Sequence, residues 1–159
     1  MSNTVLKDAE KINMKELSVI LPNQLFEDIS ILNKKFPVYL IEEFLFFKNY
    51  NFHKQKLVFH RSSMKCYEKY LIKNGYTVSY IESKNELSDI RYFINNIDKE
   101  INHIHIIEPN DYLIERRLVR ECNKNNIKLN LYDSPAFISS KDDLKSFFKE
   151  DKVKFFQTS

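Results

Sequence analysis

Apolar residues in this chain recur in short blocks, and the blocks alternate between two spacings. Leu17-Ser18-Val19-Ile20-Leu21 is a brief apolar run stopped by Pro22-Asn23, which reads as a buried strand and a turn. A short helical stretch is expected near residues 25–32. Val38-Tyr39-Leu40-Ile41 reads as a second strand, ending at Glu42-Glu43. From about 53 to 74, Leu57, Met64 and Leu71 recur seven apart with Tyr67 on the same face, which is helical periodicity. Gly75 then stands where a left-handed C-cap belongs, the position at which glycine costs least. Residues 76–81 alternate and predict a third strand. Residues 86–97 predict a helix with Leu87, Ile90, Ile94 and Ile97 on one side. Ile104, Ile106 and Ile107 predict strand four, closed by Glu108-Pro109. Residues 111–125 predict a helix with a Glu115-Arg116-Arg117 surface. Residues 128–132 predict strand five, ending at Asp133-Ser134-Pro135. Residues 141–149 predict a last helix, with Asp142 and Asp143 in its first turn, where they favour the helix dipole.

Strand–helix alternation with short apolar strands implies a parallel sheet covered on both faces. The right-handed crossover rule makes this a doubly wound α/β domain, mainly five-stranded, Rossmann-like or flavodoxin-like. It is placed at residues 16–150, after a polar tail over 1–15. The 159 residues suit one domain, and 43% hydrophobic with 14% aromatic content argues against disorder. The net charge of +3 is spread along the chain, so the surface is compatible with nucleic acid without arguing for it. Cys66 and Cys122 have no partners at metal-ligand spacing, which disfavours a disulfide framework and a zinc site. The first twenty residues do not read as a signal peptide, and no apolar run suits a bilayer span. No membrane association is expected, and a cytoplasmic or nuclear compartment is the default. Gly75 is the single glycine, which excludes the Gly-rich dinucleotide fingerprint and the P-loop.

In open α/β sheets, ligands bind outside the carboxyl ends of the strands, where the strand order reverses. That rule selects Asn23 and Gln24 after strand one, Glu42 and Glu43 after strand two, Glu108, Asn110 and Asp111 after strand four, and Asp133 and Ser134 after strand five. All can hydrogen-bond a heteroaromatic ring or a ribityl chain. The same residue types are also ordinary turn and N-cap residues. Glu42-Glu43 is the pair least easily read as a cap, because it abuts an apolar strand directly. His60 and Arg61 fall where the helical stripe predicts apolar residues. Arg61 is expected to pair with a strand-end carboxylate, or else to lie at the stripe's edge with its head in solvent. His103 and His105 share one side of a strand but lack a carboxylate or third ligand that would suggest metal. No catalytic nucleophile–base set is apparent.

Three stretches carry a resemblance to a known family. They are Ile20-Leu21-Pro22-Asn23-Gln24-Leu25-Phe26; His53-Lys54-Gln55-Lys56-Leu57-Val58-Phe59-His60-Arg61-Ser62-Ser63-Met64-Lys65 with the following Tyr70-Leu71 and Gly75-Tyr76; and Ile107-Glu108-Pro109, followed by a helix and a strand ending near Asp133 and Phe137. Over residues 16–150 the chain resembles the amino-terminal α/β domain of the cryptochrome/photolyase-related family, which includes the iron–sulfur bacterial photolyases. The resemblance implies a lineage in light-linked DNA repair or photoreception. It implies an α/β domain holding a lumazine-type antenna chromophore, and a separate helical domain holding FAD, an iron–sulfur cluster and the DNA lesion. By position, Asn23, Gln24 and Glu42 would line the antenna pocket; Glu43, Arg61 and Glu108 complete the candidate set. Some relatives have Gly-Asp where this chain has Pro22-Asn23.

Such relatives continue from about Val153-Lys154-Phe155-Phe156 into the helical domain, so residues 151–159 are expected to be its start. The leading expectation is a non-catalytic domain, a fragment or split half, docking a separate FAD-binding helical half and not binding DNA directly by itself. Phe44–Phe47 and Phe155-Phe156 are candidates for the apolar docking patch. The alternatives are a stand-alone small enzyme or small-molecule module on a flavodoxin-like scaffold, an interaction module, and a remnant with no ligand.

Overall fold

The apolar blocks become the five strands of one sheet in the computed structural model, which describes residues 15–147 apart from 29, 31, 139 and 140. Residues 1–14 of the tail expected over 1–15, the start of a helical domain over 151–159 and the Phe155-Phe156 patch lie outside the described residues. The strands are β1 (Glu16–Ile20), β2 (Val38–Ile41), β3 (Val78–Ile81), β4 (His103–Ile107) and β5 (Lys128–Tyr132). Their order is β3-β2-β1-β4-β5 and every pairing is parallel. The doubly wound α/β fold read from the sequence is therefore the fold observed.

The helices are α1 (Phe44–Phe47), α2 (Lys54–Lys73), α3 (Ile90–Asn96), α4 (Tyr112–Lys124) and α5 (Lys141–Phe147). One apolar cluster lies under α3 and α4 and includes Leu17, Val19, Ile90, Phe93, Ile104, Ile114 and Leu118. The other lies under α2 and includes Ile20, Val38, Leu40, Met64 and Leu71. The sheet is thus covered on both faces, as near-continuous apolar strands require.

Three expectations are corrected. The described residues between 25 and 32 form turns rather than a helix, since Tyr67 and Tyr70 on α2 hydrogen-bond the carbonyls of Phe26 and Glu27 and hold that segment as a loop. The helix expected over 86–97 is broken. A 3₁₀ turn at Glu86–Ser88 ends at Asp89, whose extended backbone and side chain cap α3 through the Arg91 N–H. Phe44–Phe47 is a single helical turn with Phe47 buried and Leu45 and Phe46 packed on the core, so it offers no exposed apolar patch.

Both long helices end in the same way. After α2, Gly75 (φ 86°) donates to Ile72 and Tyr76 donates to Leu71, and Leu71 and Tyr76 are both buried in the α2 cluster. After α4, Asn126 (φ 56°) donates to Asn123 and Ile127 to Cys122. Both are Schellman ends, one using glycine and the other asparagine in the left-handed position.

A Cβ at Gly75 would meet only Lys34 Nζ, at 3.8 Å, an ordinary contact. The cost of Gly75→Ala is therefore conformational alone and is expected to be about 1 kcal/mol, with Gly75→Asn costing less. Urea unfolding of the two variants checks both the size and the order.

Candidate functional site

The polar residues at the strand ends do not gather into one pocket; they divide into three constructions. The first closes the point where the strand order reverses, between β1 and β4. Gln24 is buried, and its Oε1 accepts from the Leu21 N–H (2.9 Å) while its Nε2 donates to the Ile107 carbonyl (2.5 Å). Asn23 donates from Nδ2 to the Pro109 carbonyl (2.6 Å). Two side-chain amides thus lace the β1 loop to the β4 loop across the crevice that the general rule for such sheets selects.

The second construction surrounds Glu42, which follows β2 and is fully buried. Arg61 on α2 donates from Nε to Oε1 (2.7 Å) and from Nη2 to Oε2 (2.5 Å), a two-pronged pair. The Tyr80 hydroxyl donates to Oε1 (2.6 Å) and the Ser83 N–H to Oε2 (2.7 Å). The pairing of Arg61 with a strand-end carboxylate is the one expected from the sequence. Burial by itself would raise the pKa of Glu42, but the bonds from Arg61, Tyr80 and Ser83 outweigh it and hold the group at about 2. Burial, with the bond to Glu42, pushes the Tyr80 phenol well up, so it remains a donor.

Glu43, one residue on, faces the other side of the sheet. It is also fully buried, and it caps α1 by accepting from the Leu45 N–H (2.5 Å). The residue that looked least like a cap is one. Its Oε1 has no hydrogen bond and lies 3.9 Å from Nη1 of Arg117, which is also buried without a partner atom. Burial dominates here and raises Glu43 to about 7, against the influence of Arg117 and with that of Asp89.

The third construction is an open cleft of about 550 Å³ beyond the ends of β4 and β5. Glu108, Asp133 and Ser134 supply its polar lining; Ala136, Phe137, Ile138 and Leu144 supply an apolar wall. Ser134 is buried, and its Oγ accepts from Asn110 Nδ2 (3.1 Å) and the Ala136 N–H (3.3 Å), which fixes the turn after β5. Asn110 holds a left-handed backbone (φ 54°), and the next residue, Asp111, caps α4 through the Leu113 and Ile114 N–H groups. Of the six candidate residues Asn23, Gln24, Glu42, Glu43, Arg61 and Glu108, Glu108 alone lines this cleft. Asp133 and Ser134 were visible as strand-end residues. Ala136, Ile138 and Leu144 carried no signal, because only the folded chain after β5 brings them to one recess.

Metal chemistry has little to work with. The described residues contain no group of three or more His, Cys, Asp or Glu side chains able to hold an ion. His105 is engaged with Glu16 (2.8 Å) and the Tyr132 hydroxyl (2.8 Å). Cys66 is exposed on α2 and Cys122 buried on α4, so the two thiols do not form the ligand set of an iron–sulfur cluster. No helix among the described residues is long and apolar enough to cross a membrane.

Fold and cleft together define a doubly wound α/β domain with a ligand-sized recess at the carboxyl edge of its sheet. The chain belongs to the deoxyribodipyrimidine photo-lyase-related protein family, which it matches over residues 18–158. It is also similar to an uncharacterized protein of Acanthamoeba polyphaga mimivirus, 37% identical over an aligned length of 157, with 92% of this chain and 79% of that protein covered.

Adjacent carboxylates shifted in opposite directions make stability depend on pH in two opposed ways. Glu43 rises from an ordinary 4.5 to about 7, so its burial costs least below 4.5, and stability falls as pH rises through 7. Glu42 drops from 4.5 to about 2, so its contribution is full above 4.5 and is lost as pH falls toward 2. The pair therefore gives a stability maximum near pH 4.5. Urea midpoints measured between about pH 3 and 8 should show the upper limb flattened by Glu43→Gln and the lower limb by Glu42→Gln. Arg61→Ala leaves a buried carboxylate with only Tyr80 and Ser83 as donors. It is expected to cost about 2 kcal/mol, below the full value of a buried pair because Arg61 is half in solvent.

Proposed function

We propose that this protein is an antenna-type domain of a photolyase-related flavoprotein. It holds a lumazine-type chromophore in the cleft beyond β4 and β5 and works beside a helical, FAD-bearing partner or segment. Family membership supports the lineage, and the cleft is the observation that carries the ligand. Its volume lies in the range of small-molecule sites. Phe137 and Ile138 are exposed at its rim, where an aromatic ring would find a stacking face and an apolar edge. Glu108 and Asp133 offer oxygen acceptors, which suit a neutral ring bearing N–H groups and a hydroxylated side chain. Two carboxylates in one recess disfavour a phosphorylated chromophore.

The role of this chain's residues is to bind and orient. Ser134 keeps the β5 turn fixed, Glu108 and Asp133 read ring and chain donors, and Phe137 covers one ring face. Light absorbed by the chromophore would be passed to flavin in the partner, where any redox chemistry on DNA would take place. The partner would dock over the exposed apolar residues Phe137, Ile138, Leu144 and Phe147, which replace Phe44–Phe47 as the docking patch.

Titration of the purified protein with a ribityllumazine, followed by fluorescence anisotropy, tests the reading. One-to-one binding is expected. Phe137→Ala should weaken it about tenfold, the equivalent of one lost aromatic stack. Asp133→Leu should weaken it by a similar factor. A protein that is colourless as purified and leaves the probe's anisotropy unchanged would exclude the antenna role and leave an interaction module.

A further inference from the structure

Where α3 and α4 pack together, four arginines share a second cleft of about 270 Å³. Arg91 comes from the first turn of α3, and Arg116, Arg117 and Arg120 come from α4, with Leu113 completing the lining. On α4 the spacing 113, 116, 117, 120 places all four residues on one helix face. The sequence showed only the Arg116-Arg117 part of this set; Arg91 joins it because α3 and α4 pack against each other.

The cleft holds more positive charge than its neighbours match. Arg91 is paired with Asp89, with contacts of 2.5, 3.0 and 3.2 Å, and Arg120 with Glu121 at 2.7 and 2.9 Å. Arg116 has no ion pair among the described residues. Arg117, less exposed than Arg91 and Arg120, faces Glu43 across 3.9 Å, beyond hydrogen-bond reach, and its Nη1 is buried without an acceptor. Crowding guanidinium groups is unfavourable unless an anion joins them. Arg117 Nη1 is shut from solvent and turned toward Glu43, so the cleft offers an oxyanion the other guanidinium N–H groups, those of Arg116 among them.

We infer that this cleft is a binding site for a compact phosphoryl group, the terminal phosphate or pyrophosphate of a small molecule, with Arg117 at its base and Arg91, Arg116 and Arg120 around it. Compactness argues for a single group over a nucleic-acid strand, because the arginines enclose one recess and do not run as a stripe. Leu113 gives an apolar edge for the organic part of the ester. Glu43, behind Arg117, competes with the anion for it, as does Asp89 for Arg91. The site shares no lining residue with the strand-end cleft, so either can fail without the other.

Isothermal titration with sodium pyrophosphate at constant ionic strength is the direct test, with inorganic phosphate, sulfate and a short single-stranded oligonucleotide as comparators. Saturable one-to-one binding of pyrophosphate is expected, stronger than that of sulfate. Arg116→Gln, which breaks no ion pair, should weaken it severalfold, and the Arg116→Gln/Arg120→Gln double variant about tenfold or more. Lys73→Gln, at the far end of α2, should leave it unchanged. Urea midpoints of the arginine variants establish that they fold. Absence of saturable binding, equal loss in the lysine variant, or tight oligonucleotide binding with none of pyrophosphate would each overturn the inference.

Discussion

A carboxylate shut away from water has to be met by donors, and the position of Glu42 shows how much structure that requirement organises. Its two oxygens receive four hydrogen bonds from α2, β3 and the loop after β3. Met64 and Leu71 are the buried residues of α2, both in its second half, while Val58 and Phe59 in the first half are exposed. Full apolar burial is thus confined to the second half of this twenty-residue helix, and in the first half Leu57, only partly buried, is joined by the Arg61–Glu42 pair in holding it to the sheet. The loop before β2 is in turn held by α2 through Tyr67 and Tyr70. A chain of dependence thus runs from one buried charge through α2 to the loop before β2.

Much of this could be read from the sequence because it is written in local spacing. Strands β1 to β5 follow from short apolar runs with polar stops, and α2 and α4 from recurrence on one helical face. Gly75 announced the end of α2. Asn126, doing the same for α4, did not, since asparagine is common in ordinary turns. The break at Asp89 was missed because Leu87, Ile90 and Ile94 keep a helical spacing across it, while an aspartate that caps and an aspartate that lies on a helix surface look alike in sequence. The site was less legible than the fold for a related reason. Gln24 and Ile107, or Asn23 and Pro109, are more than eighty positions apart, and only the folded sheet brings them together to close the crevice at β1 and β4. Closure there leaves the open volume one strand further on.

The two clefts also show how one small domain keeps opposite chemistries apart. The recess beyond β5 is lined by carboxylates and apolar side chains, and the one between α3 and α4 by guanidinium groups. Helix α4 stands between them: its capping residue belongs to the loop after β4, and its outer face carries three of the arginines. Each recess presents the sign of charge that the other would repel, so ligands suited to one are poorly suited to the other.

Glu42 and Glu43 are chemically identical neighbours that have been given incompatible surroundings, one encircled by donors and the other left with an oxygen that has no hydrogen bond and a guanidinium 3.9 Å away. What tells them apart is the alternation of the extended chain alone. Inserting or deleting one residue just before this junction would carry each carboxylate to the other's side of the sheet. At this junction the length of the chain, as much as its residues, decides which of the two carboxylates stays charged.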